Sequence, residues 1–150
     1  MRVQVGQDPP SPILAAVLAV TGYTAPTHLA TIAECGANET AWHLLGCTER
    51  ILFQVTGHKA ISDWYGGREG GPGADEAVAA RVVPLSRLTG MVLELSGVAP
   101  SRGDPGLRLY GTWQITCESG DELALPTDAD NSHTREALKG IARAVLAAMI

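Results

Sequence analysis

Charge is scarce in this chain, and positive charge is the scarcer kind. Asp, Glu, Lys and Arg make up 18% of the 150 residues, with 11 basic side chains against 16 acidic ones. The net charge of −5 at pH 7 repels phosphates, so nucleic acid and anionic membrane surfaces are poor partners. Cysteine is scarce too. Cys35, Cys47 and Cys117 are odd in number and have no close paired spacing, which argues against a disulfide framework and for a reducing, cytoplasmic setting. Aromatic residues are 5% of the chain, and Arg108 and Tyr110 are too few to form a basic, aromatic platform for single strands. Long apolar runs are missing as well. Residues 13–20 form an eight-residue stretch, against the ~20 needed to span a bilayer. A secretory leader is not expected either, since Arg2 alone precedes that stretch and Asp8 opposes it.

What is present is the material of one globular domain over residues 1–150, with 45% apolar residues and a mean hydropathy of +0.08. Ser11-Pro12 reads as an N-cap followed by proline at the first helical position, and Gly22 as a stop, giving a short apolar helix over 11–22. From 29 to 126 the apolar period is two, as half-buried antiparallel strands require. Within 40–48, His43, Leu45 and Cys47 share one face and Trp42 and Leu44 the other. Over 107–118, Leu107, Leu109, Trp113, Ile115 and Cys117 point inward, and Ser119-Gly120-Asp121 turns this strand into a hairpin with 121–126. The glycine- and proline-rich stretches 65–76 and 97–106 read as surface loops. The period becomes 3.6 over 131–150. Leu138, Ile141, Val145 and Leu146 then share an apolar stripe opposite Arg135, Glu136, Lys139 and Arg143, with Asn131 or Ser132 as N-cap.

The order of a short helix, about seven antiparallel strands and a closing helix resembles the pleckstrin-homology-like barrel in its compact bacterial form. The resemblance is carried by Val82-Val83-Pro84-Leu85-Ser86-Arg87-Leu88-Thr89-Gly90, by Val92-Leu93-Glu94-Leu95, and by Gly111-Thr112-Trp113-Gln114-Ile115-Thr116 running into Glu122-Leu123-Ala124-Leu125-Pro126. It implies an α+β fold: an antiparallel barrel closed by the C-terminal helix and preceded by a short N-terminal one. Phosphoinositide-binding members carry basic residues at the loop between the first two strands. Residues 35–40 hold none here, so binding to phosphoinositide membranes is not expected.

His28, Cys35, His43 and Cys47 could be assembled into a zinc site, but His43 and Cys47 flank Leu45 on an apolar face, where packing is the simpler account. Asp128, Asp130 and Ser132 imitate the opening of a calcium loop. The sixth and twelfth positions hold His133 and Lys139 instead of Gly and Glu, so the carboxylates read as charge at a helix N-terminus. Residues 66–73 lack the Lys-Ser/Thr of a phosphate-binding loop, and no nucleophile elbow occurs. His58, Lys59 and Arg68 read as a solvated hairpin end, and Arg102-Gly103-Asp104 as turn residues. The expectation is a non-catalytic protein-interaction module with no catalytic, cofactor or metal site. The alternative is a small-molecule or lipid binder using the barrel mouth or the loop surface, and the third reading, after these, is an enzyme of unknown type. The apolar helix must be covered, by its own barrel or across a homodimer, which makes Ile13, Leu14, Val17 and Leu18 the candidate interface.

Overall fold

The computed structural model describes residues 11–35, 40–59, 77–100 and 107–150. Helix α1 (Ser11–Val20) is followed by strands β1 (His28–Cys35), β2 (Thr40–Cys47), β3 (Ile51–Lys59) and β4 (Ala77–Pro84). A 3-10 turn (Leu85–Arg87) leads to β5 (Leu88–Pro100), β6 (Leu107–Cys117), β7 (Glu122–Pro126) and helix α2 (Ser132–Ala148). The fold is α+β, with two antiparallel sheets in the orders β1-β2-β3-β4 and β5-β6-β7. Among the described residues no ladder joins one sheet to the other, so the single closed barrel expected from the strand pattern is not formed by hydrogen bonds there. No described helix is long and apolar enough to cross a membrane. The long glycine-rich stretch 65–76, Trp64, Arg68 and the tripeptide 102–104 lie outside the described residues.

Alternation along β2 has an unexpected consequence: both faces of the first sheet are buried. Leu45 and Cys47, with Leu52 of β3, pack with Ile115, Leu123 and Leu125 of the second sheet and with Leu138, Ile141 and Val145 of α2. Trp42, Leu44, Phe53 and Val55 point the other way and are covered by Ile13 and Val17 of α1. The N-terminal helix therefore packs on its own chain. The indole N–H of Trp42 finds no acceptor among the described residues, an omission worth about 1–3 kcal/mol that the apolar packing around it must offset.

Local signals set the ends of both helices. Tyr23 N–H donates to Leu18 O at 2.8 Å and Gly22 N–H to Ala19 O at 3.3 Å, the paired bonds that end a helix at a left-handed residue. Gly22 supplies that conformation at φ +64°, where a Cβ would be strained. At α2 it is Asn131 that caps, its side-chain oxygen accepting from the N–H groups of His133 and Thr134 at 2.7 and 3.2 Å. The predicted hairpin is the β6–β7 ladder, in register from Thr112 opposite Pro126 to Thr116 opposite Glu122. Two expectations are corrected along β5 and β6. Strand β5 runs through to Pro100, so 97–100 are paired with β6 and do not form a loop. Leu107, expected inside, is 66% exposed, because β7 ends opposite Thr112 and leaves the start of β6 beyond the sandwich.

Candidate functional site

That overhang makes a concavity. The β5–β6 arm extends past the end of β7 and faces α2 across a groove of about 590 Å³, within the size range of ligand sites. Leu107, Leu109 and Trp113 of β6 line one wall, and Leu138, Ala142 and Leu146 of α2 the other.

The chain leaving β7 fixes the near end. Thr127 N–H donates to Gly111 O at 3.1 Å, and its hydroxyl donates to Leu109 O at 2.7 Å. Asp128 then accepts two bonds from the Arg108 guanidinium, Nε to Oδ1 at 2.8 Å and Nη2 to Oδ2 at 3.1 Å. Arg108 and Arg135 both reach the Ala129 carbonyl at 3.3 Å. The hydrogen bonds from Asp128 raise the Arg108 pKa above its ordinary value, and its guanidinium lies 5.5 Å from the Tyr110 ring centroid. Asp128 was expected to act as charge at the helix N-terminus; it serves as the anchor of Arg108.

Four of the chain's 11 basic residues (Arg108, Arg135, Lys139 and Arg143) line this groove with the carboxylate of Asp128, while Glu136 pairs with Lys139 and Asp130 is close enough to act on Arg108. A chain of net charge −5 thus gathers local positive charge at one place. Lys139 is held by Glu136 at 3.2 Å, an exposed pair worth little. Arg143 makes no hydrogen bond or ion pair among the described residues.

The histidines and cysteines weighed as ligands lie elsewhere. The β1–β2 register sets His28 opposite Cys47 and Ile32 opposite His43, on the face turned towards α2, and His58 is at the exposed end of β3. No group of three or more metal-ligating side chains converges among the described residues; the Cys35 side chain is outside them. Burial pushes the thiols of Cys47 and Cys117 up from their ordinary value, and a backbone hydrogen bond from His28 only partly offsets this at Cys47. Raised folded-state values mean that the folded chain holds these protons more tightly than the unfolded one. The associated stability is complete below about pH 9 and is lost as pH rises through the folded values. Both thiols should react with a disulfide reagent at pH 8 roughly tenfold or more slowly in the native protein than in urea. Mass spectrometry of the labelled peptides checks this, and fast native labelling would contradict it.

In the candidate interface, Ile13 and Val17 are buried inside this chain, whereas Leu14 and Leu18 are 38% and 46% exposed. The groove was missed in the sequence, although its helix rows, Arg135, Lys139 and Arg143 beside Leu138, Ala142 and Leu146, are legible there at a spacing of four. Comparison of the chain with protein-family models, with curated proteins and with solved structures finds no match.

Proposed function

We propose that this chain is a non-catalytic binding module of pleckstrin-homology-like build, which holds a partner in the groove between α2 and the β5–β6 arm. The order of four strands, three strands and a closing helix supports the resemblance. The groove itself supports the binding role, since it joins an apolar floor to a basic rim on an acidic protein. Burial holds the Cys47 and Cys117 thiols protonated, so neither is an activated nucleophile.

Titration with anilinonaphthalene sulfonate, an aromatic anion, tests the groove through energy transfer from tryptophan, Trp113 being in its wall. At about 0.3 kcal/mol per non-hydrogen atom, a dye of this size binds with a Kd of roughly tens of micromolar. Ala142→Trp fills the floor and abolishes the signal. Leu146→Asp, at a position 40% exposed, weakens it without disturbing the fold. Dye binding that survives both substitutions would remove the groove from this reading.

A second reading rests on α1, whose outward face, Leu14, Ala15, Leu18 and Ala19, carries no polar side chain. The module then pairs with a second copy through Leu14 and Leu18, and its mass in solution halves in the Leu14→Glu/Leu18→Glu variant. A wild-type monomer at high concentration would refute it.

A further inference from the structure

The two helix rows that border the groove differ in chemistry but share one repeat. Arg135, Lys139 and Arg143 form a basic row, and Leu138, Ala142 and Leu146 form an apolar row beside it. Residues four apart on a helix rise by about 6 Å. An extended peptide repeats its side-chain direction every two residues, about 6.6 Å. The two periods stay in step over three repeats.

We propose that the groove takes an extended acidic peptide, its alternate carboxylates lying along the basic row and its intervening apolar side chains on the apolar row. This rests on the groove being the binding site and adds the chemistry of the occupant. Charge complementarity carries it. Like charges four apart on a helix repel, and within this row Lys139 alone has a carboxylate partner among the described residues, so Arg135 and Arg143 are left unmatched by a carboxylate. An amphiphile with one anionic head would answer one of these cations and leave the rest of the row unmatched.

The test is calorimetry of the full chain with a decapeptide of alternating Leu and Glu. It should bind, more weakly as salt is raised, and Lys139→Glu/Arg143→Glu should lower the affinity roughly tenfold or more. Lys139→Gln/Arg143→Gln should have an intermediate effect, and both variants should retain the wild-type thermal midpoint, because these side chains are on the solvent side of α2. A decapeptide of alternating Leu and Lys should not bind, and dodecanoate should not displace the Leu-Glu peptide. Equal binding of the Leu-Lys peptide, an unchanged affinity after charge reversal, or displacement by dodecanoate would overturn the proposal. Dye binding blocked by Ala142→Trp, with no binding of the Leu-Glu peptide, would reject the acidic peptide while leaving the groove as a site. Loss of both signals would reject the groove as well.

Discussion

Gly140→Ala lowers the stability of this fold by about 1–3 kcal/mol, the usual cost of overpacking a filled interior, although alanine is the better helix former by about 1 kcal/mol. The reason lies in how α2 sits on the first sheet. A Cβ built at Gly140 collides with Nδ1, Cε1 and Cγ of the His28 imidazole, so the whole ring is in the way and not just its tip. Gly140 is buried in the middle of α2, and His28 begins β1, the strand against which that helix makes its most extensive contact. Removing the ring should reverse the sign. In a His28→Ala background the same substitution gains about 0.5–1 kcal/mol, because only the helix preference remains. Urea unfolding of the four proteins in this cycle measures the coupling directly. If Gly140→Ala is neutral in the wild-type background, the imidazole swings out freely and does not set the approach of α2 to β1.

The close fit of Gly140 to His28 also shows where sequence reading stops. Period and capping are local properties, and the local elements were legible. The apolar stripe of α2, its Asn131 cap, the β6–β7 hairpin and the α1 stop at Gly22 all follow from neighbours within a few residues of one another. Partners distant in sequence were not legible. Trp42 and Leu44 on one face of β2, with Leu45 and Cys47 on the other, read as a half-buried strand, and nothing local said that Ile13 and Val17 cover its second face. The groove was hidden for the same reason. Arg135, Lys139 and Arg143 looked like a solvated face because the opposite wall, Leu107 and Leu109, belongs to a strand end that β7 is too short to cover. Leu107 was misjudged because alternation tells which face a residue occupies but not where the covering layer ends. The count of strands was readable as well, whereas their division into two separate ladders depends on which edges meet.

Ile13→Ala should cost about 2–5 kcal/mol, as expected when a fully buried branched side chain leaves a cavity, whereas Leu14→Glu/Leu18→Glu should change stability by about 0.5 kcal/mol per site or less. Adjacent positions on one ten-residue helix thus differ severalfold in consequence. Ile13 is 0% exposed, and with Val17 it closes over Trp42, Leu44, Phe53 and Val55. The packing beneath is tight. A Cβ at Gly46 would meet the ring of Phe53, which fills the space left by a missing side chain on the neighbouring strand. That layer has little room to collapse into a cavity at Ile13, which places the loss towards the upper end of the range. Against a total stability of about 5–15 kcal/mol for a domain of this kind, the substitution removes a large part of what holds the chain folded. Thermal and urea unfolding should therefore show Ile13→Ala strongly destabilised, with Leu14→Glu/Leu18→Glu near the wild-type midpoint once any change in solution mass is accounted for. Equal losses in the two variants would mean that α1 is held through its outward face, on a second copy, and that the burial of Ile13 against its own sheet contributes little.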